Sequence, residues 1–133
     1  MRINDEPQLL QMNLEALIVD DEIDICYLLS GILRKKNLTT TYVTSISEAE
    51  KSLANHSPSV LFLDNNLPDG FGMDLISRVK KEYPFVKIIM LTAHDTSIDK
   101  QNALSRGADI FIGKPFTRDT IIKSLDVLFS KTA

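Results

Sequence analysis

The sequence predicts an α/β fold: a parallel sheet with helices packed on both faces. Five short apolar or β-branched runs alternate with five segments of helical period, the pattern of repeated strand–helix units. Most of the runs are continuously apolar rather than alternating, as expected of strands covered on both faces. Four of them also end on polar chemistry. Leu17-Ile18-Val19 runs into Asp20-Asp21-Glu22, and Val60-Leu61-Phe62-Leu63 into Asp64. Ile88-Ile89-Met90-Leu91 runs into Thr92-Ala93, and Ile110-Phe111-Ile112 into Gly113-Lys114-Pro115. Ligands of open parallel sheets bind outside the carboxyl ends of the strands, so these four endings are expected to share one pocket.

Taken in order, residues 1–13 are polar with scattered Leu and Met and are expected to form a loosely attached arm. The first strand is expected at Leu14–Val19. A helix follows over Ile23–Lys36, where Ile25, Leu28, Leu29, Ile32 and Leu33 recur at the spacing of one buried face. Thr39–Thr44 is β-branched and reads as the second strand. Ser47 and Glu50, or their neighbours, supply an N-cap and a reciprocal glutamate for a short helix ending near Asn55. Ser57-Pro58 breaks that helix, and Val60–Leu63 is the third strand.

Leu67-Pro68-Asp69-Gly70-Phe71-Gly72 reads as a turn-rich loop. Leu75, Ile76 and Val79 mark a third helix that stops before Pro84. Val86–Leu91 is the fourth strand, Thr96–Ser105 the fourth helix, and Asp109–Ile112 the last strand. Thr117 can cap a final helix whose Ile121, Ile122, Leu125, Leu128 and Phe129 form one stripe. The chain ends where that helix should end, so no output domain is expected within it.

At 133 residues the chain fits one domain with a core of its own. Its hydrophobic fraction of 44% and charged fraction of 25% are those of a soluble globular protein. The net charge of −3, with scattered Lys and Arg, argues against direct nucleic-acid binding, which needs a basic stripe. No apolar run is long enough to span a membrane, and the acidic N-terminus lacks the apolar stretch of a signal peptide. A single cysteine, Cys26, excludes an internal disulfide and fits the reducing cytoplasm.

The residue types at the strand ends suit phosphoryl transfer. Asp64 is the candidate nucleophile, since an aspartate carboxylate can accept phosphate as an acyl phosphate. Asp20 and Asp21 follow a different strand and can hold Mg2+, which takes a few carboxylates, waters and phosphate oxygens. Crowded carboxylates raise one another's pKa, and a divalent cation with Lys114 relieves that repulsion. Phosphoryl transfer needs mainly positioning and charge neutralisation, which the cation and Lys114 supply while Thr92 hydrogen-bonds one oxygen. Taken singly, each residue has a structural reading: Asp21, Glu22 or Thr92 as a helix cap, Lys114-Pro115 as a plain loop. Taken together, in order, at four strand ends, they point to one site.

At these residues the chain resembles the receiver domains of two-component response regulators, over about residues 14–131. The matching pieces are Val19-Asp20-Asp21-Glu22, Leu63-Asp64, Leu67-Pro68-Asp69-Gly70 with Gly72, Leu91-Thr92-Ala93, Gly107-Ala108-Asp109 and Lys114-Pro115-Phe116. The resemblance implies a flavodoxin-like, doubly wound sheet of order 2-1-3-4-5 flanked by five helices. It implies that Asp64 is the phosphoacceptor, that Asp20 and Asp21 flank Mg2+, and that Asn66 offers its backbone carbonyl to the metal. Thr92 becomes the switch hydroxyl, Lys114 the phosphate-pairing lysine, and the Lys114–Pro115 bond cis.

The switch aromatic, often Tyr in this family, is Phe111 here, so coupling to Thr92 can be steric only. His94 and Asn66 occupy rim positions that tune dephosphorylation in the family. On its own residues His94 reads as a surface loop side chain, and His56 and Cys26 as structural. The implied partners are a histidine kinase or a histidine phosphotransfer protein upstream and an unidentified protein or output domain downstream. The contact face downstream is the fourth helix, fifth strand and fifth helix.

Other functions fit less well. A phosphatase of the haloacid dehalogenase class places a second Asp two residues after the nucleophile as general acid. Here that position is Asn66, which cannot protonate a leaving group. A flavodoxin-like cofactor module needs donors for the flavin phosphate in the first strand–helix loop. Asp20-Asp21-Glu22-Ile23-Asp24 would repel it. A degenerate receiver used as a scaffold would not need the complete acceptor set.

Overall fold

The computed structural model describes residues 13–130. Nearly all of the expected arm, residues 1–12, therefore lies outside the described residues.

The strands are β1 (Glu15–Val19), β2 (Thr39–Val43), β3 (Val60–Leu63), β4 (Lys87–Thr92) and β5 (Ile110–Gly113). The helices are α1 (Ile23–Lys35), α2 (Ile46–Asn55), α3 (Met73–Glu82), α4 (Ser97–Arg106) and α5 (Arg118–Phe129). All five strands run parallel in the order β2-β1-β3-β4-β5. This is the flavodoxin-like arrangement expected from the resemblance. Strand bounds differ from expectation by one residue, and in a telling direction. β4 runs through Thr92 and β5 through Gly113, which pair with each other, so the ladder extends to the pocket.

Alternation along the strands sorts the core into two layers. Ile18, Phe62 and Ile89 face α1 and α5 and pack with Leu29, Leu33, Ile121 and Leu125. Leu17, Leu61, Leu63, Ile88 and Met90 face the other way, against Leu53, Ile76, Val79 and Ala103. Burying each such Leu, Ile or Phe side chain contributes about 1.5–3 kcal/mol, so β1, β3 and β4 form the rigid centre. β2 is an edge strand, exposed at Thr39, Thr41 and Tyr42, which explains its polar, threonine-rich sequence.

Side-chain caps fix where α2, α4 and α5 begin. Thr117 accepts from the Thr120 N–H at 3.1 Å, as expected for α5. The α2 cap lies two residues earlier than Ser47. Ser45 accepts from the Glu48 N–H at 3.1 Å, and Glu48 reaches back to the Thr44 N–H at 2.8 Å. The segment read as a plain loop holds a small antiparallel hairpin, Asn66–Leu67 with Gly70–Phe71. Alternating pairing over two residues is too short to stand out in sequence. At the foot of α4, Gly107 takes φ +118°, and a Cβ there would also meet Lys80 Cγ at 2.8 Å. Glycine is required on both counts.

Candidate functional site

The register of the sheet aligns the ends of β1, β3 and β4. Val19 pairs with Leu63, and Leu63 with Met90, so the residues that follow emerge side by side. The Asp64 N–H donates to the Val19 carbonyl at 2.9 Å, and the Asp20 N–H to the Val43 carbonyl at 3.1 Å. Both aspartates are thus pinned by the ladder while their carboxylates project beyond it. Asp20 is 2% exposed, Asp64 5% and Thr92 1%. Asp21 is exposed. Carboxylate oxygens of Asp20, Asp21 and Asp64 all lie within 4.8 Å of one another.

Lys114 enters from the end of β5. Its N–H donates to the Thr92 carbonyl at 2.8 Å, and the Lys114–Pro115 peptide bond is cis. The ammonium donates to Asp20 Oδ2 at 2.8 Å and Glu22 Oε1 at 2.9 Å, and lies 3.7 Å from Asp64 Oδ1. Asp20 Oδ1 also accepts from the Glu22 N–H at 2.9 Å. Thr92 Oγ1 accepts from the His94 N–H at 3.2 Å, a local turn that aims the hydroxyl oxygen into the loop before α4. His94 is exposed, Phe111 is half-buried against the α2–α3 layer, and Asn66 is exposed at the start of the hairpin. The sequence-expected residues around Asp20, Asp21, Asp64, Thr92 and Lys114 are therefore gathered at one end of the sheet.

The segment after Asp64 is locked in place. Asn65 accepts from the Gly72 N–H through its carbonyl (2.8 Å) and from the Met73 N–H through Oδ1 (2.9 Å). A Cβ on Gly72 would stand 2.1 Å from the Asp64 carbonyl oxygen, so only glycine lets α3 start this close to the pocket. Asp69 accepts from the Ile46 and Ser47 N–H groups at 2.8 and 2.9 Å, tying the hairpin to the first turn of α2. Those backbone donors hold the Asp69 carboxyl below its usual range. Sequence reading missed Asn65, Asp69 and the Glu22–Lys114 pair. Asp69 before Gly70 carried an available signal, but no local pattern announces a contact across 92 residues.

Burial, then the charge of Asp20, pushes the Asp64 carboxyl up to about 6. Burial also raises Asp20, against the lowering effect of Lys114. Burial alone would lower the Lys114 ammonium, but Asp20, Glu22 and Asp64 together hold it above its ordinary value. Beneath the pocket, burial and the charge of Asp20 push the Cys26 thiol up to about 11, and its Sγ donates to the Asp20 carbonyl at 3.3 Å. Cys26 is an inert thiol of the core. The site is thus an over-acidic, mostly buried cluster with one ammonium. Its all-oxygen donor set suits a hard divalent cation.

The response regulator receiver domain family matches this chain over residues 16–126, and the chain belongs to that family. It is 31% identical over 117 residues to the probable transcriptional regulatory protein TcrX of Mycobacterium tuberculosis, covering 88% of this chain and 50% of TcrX. It is 37% identical over 101 residues to the response regulator protein PilR of Pseudomonas aeruginosa, covering 76% of this chain and 23% of PilR. The chain thus spans half or less of these curated relatives. A CheY-like receiver domain protein from Methanospirillum hungatei superposes with a TM-score of 0.82 at 25% identity, covering 87% of this chain and 93% of that one. The protein is a receiver domain of two-component signalling. Among the described residues no helix is long and apolar enough to cross a membrane.

Proposed function

We propose that Asp64 is the phosphoacceptor of this receiver, phosphorylated in the cytoplasm with Mg2+ as cofactor by a histidine kinase or a histidine phosphotransfer protein. The observation that carries this reading is the placement of Asp64. It alone among the pocket carboxylates ends the central strand, with two further carboxylates within 4.8 Å and an ammonium at 3.7 Å. An Asp64 oxygen attacks the phosphorus of a phosphohistidine. The P–N bond breaks as the acyl phosphate forms, and the imidazole leaves with the electron pair. Asp20, Asp21 and Asp64, with the Asn66 backbone carbonyl, would hold the magnesium ion, which neutralises charge on the transferring phosphoryl oxygens.

The chain's own residues do the rest. With its pKa near 6, Asp64 is largely ionised at neutral pH, as a nucleophile must be. Lys114 turns toward the new phosphoryl group, and Thr92 donates its hydroxyl to a phosphoryl oxygen. That movement draws on the loop entering α4, and Phe111 repacks by steric contact alone. His94 and Asn66, at the rim, tune how readily water reaches the phosphoryl group. The α4–β5–α5 face then engages a downstream protein or output domain. Catalysis is confined to the domain's own phosphorylation and dephosphorylation. Incubation with a small phosphodonor and Mg2+, borohydride trapping and mass spectrometry should place the adduct on Asp64. Undiminished labelling of Asp64→Asn would overturn the assignment.

A further inference from the structure

Glu22 occupies the N-cap position of α1, yet its side chain makes no capping hydrogen bond. Ser, Thr, Asp or Asn is the usual choice there because a short side chain reaches the N2 or N3 donors. The longer Glu22 side chain instead crosses to the loop after β5 and accepts from Lys114 Nζ at 2.9 Å. Its backbone is fixed meanwhile: the Glu22 N–H donates to Asp20 Oδ1, and its carbonyl accepts from the Ile25 and Cys26 N–H groups. The side chain remains 60% exposed. A firmly anchored residue thus presents a loosely held carboxylate to the one ammonium of the pocket. It lies outside the group of oxygens, from Asp20, Asp21 and Asp64, close enough to share a metal ion.

The ammonium geometry shows what this contact does. Two of its three protons are taken by Asp20 and Glu22, at 2.8 and 2.9 Å, while Asp64 lies at 3.7 Å, beyond hydrogen-bond reach. We propose that Glu22 is a positioning residue that holds Lys114 away from Asp64 in the resting domain and must release it when a phosphoryl group arrives. A contact present in one state and lost in the other biases the equilibrium between them. Asp20 is nearly buried and sits beside Asp64, so it stays near the lysine as the lysine moves toward Asp64. Glu22 is exposed and can relax into water, so it is the partner given up. Glu22 therefore sets how tightly the site holds a phosphoryl group. This inference rests on Asp64 being the phosphoacceptor.

The test is beryllofluoride binding in saturating Mg2+, followed by NMR titration of wild type, Glu22→Gln and Asp24→Asn. Asp24 is an exposed acid in the same turn without a bond to Lys114, so its variant reports the bare effect of removing one negative charge. Glu22→Gln should lower the dissociation constant about three- to fivefold, the upper range for a partly exposed ion pair. Asp24→Asn should change it by less than about 1.5-fold on the same scale. The Lys114 side-chain ammonium signal in the beryllofluoride-free protein should shift in Glu22→Gln and stay put in Asp24→Asn. Equal affinity in wild type and Glu22→Gln, or an equal gain in both variants, would overturn the positioning role while leaving the phosphoacceptor reading intact. Failure of the wild type to bind beryllofluoride would instead overturn that reading, and the positioning role with it.

Discussion

The two ends of the sheet carry charge in opposite ways. At the lower end, where β4 and β5 begin, Lys80 donates to Asp109 Oδ2 at 2.8 Å and to the Val86 carbonyl at 3.1 Å. The same Asp109 oxygen accepts from the Ile88 N–H at 2.8 Å. One cation meets one carboxylate, and both are only 24% exposed. This is a closed clip joining α3, β4 and β5. At the upper end Asp20, Glu22 and Asp64 lie within 4 Å of the Lys114 ammonium, Asp21 adds a further carboxylate beside Asp20 and Asp64, and two of these carboxyls are pushed up in pKa. The lower network lowers the energy of the fold as it stands. The upper one raises it as long as no cation offsets the excess negative charge.

The largest effect that would break this contrast is on stability without divalent cation. The folded-state pKa of Asp64, about 6, lies above its ordinary value of 3.8, so folding favours the neutral form. Its relative stabilisation is full below pH 3.8 and is lost as pH rises through 6. In chelator at pH 7, Asp64→Asn should therefore be more stable than wild type by about 2–3 kcal/mol. The gap should close below about pH 4, and Mg2+ should shrink it by stabilising wild type more than the variant. Denaturant unfolding at several pH values measures this. An unchanged or lower stability of Asp64→Asn at pH 7 would show that the upper end is not strained.

At the lower end the sign reverses. Lys80→Met keeps most of the stem and leaves the half-buried Asp109 carboxylate with the Ile88 N–H as its remaining partner among the described residues. The cost should be about 2 kcal/mol, the usual penalty for an under-satisfied, partly buried charged group. Mg2+ should not alter it, because the clip takes no part in the pocket. A loss that varied with Mg2+ would mean the two ends are coupled.

Within the upper end, the acids should divide the metal's affinity unequally. Both Asp20 oxygens are already engaged, by Lys114 and by the Glu22 N–H. The exposed Asp21 carboxylate has no hydrogen bond or ion pair among the described residues. Asp21→Ala should weaken Mg2+ binding more than Asp20→Ala, with roughly a tenfold loss for the direct ligand. Titration calorimetry giving three equal affinities would refute the metal site.

The contrast also explains what could be read from sequence. Strand ends were legible because continuous runs such as Val60–Leu63 stop abruptly at a charged residue, and parallel topology turns such stops into one pocket. The two-layer core followed from the same runs. The α2 cap was ambiguous because Ser45 and Ser47 each precede a glutamate by three residues, and only the grip of Asp69 on the Ile46 and Ser47 N–H groups selects the first. The Lys80–Asp109 clip and the Glu22–Lys114 contact were illegible for a common reason. Each joins loops or helices far apart in the chain, and neither lysine sits in a pattern that names its partner.

The smallest effect concerns α4, which begins at the upper end and finishes at the lower. Of the apolar side chains Ile98, Ala103 and Leu104 on this helix, only Ala103 is buried, while Ile98 is 69% exposed and Leu104 40%. Its first turn follows Thr92 and His94 and is held by the Thr96 cap, which accepts from the Asp99 N–H at 3.1 Å. Its last turn is fixed by Gly107 against Lys80 and by Arg106, which donates to Asp74 Oδ1 at 3.0 Å. A helix with one buried side chain opens readily, and it should do so from its weaker end. Hydrogen exchange with Mg2+ and beryllofluoride should therefore change protection over about 93–100 by a few-fold and leave 106–109 unaltered. Equal changes along the whole helix would mean that α4 moves as one body and that the lower clip yields with it. A silent α4, with changes only in α1 and α2, would remove it from the output face.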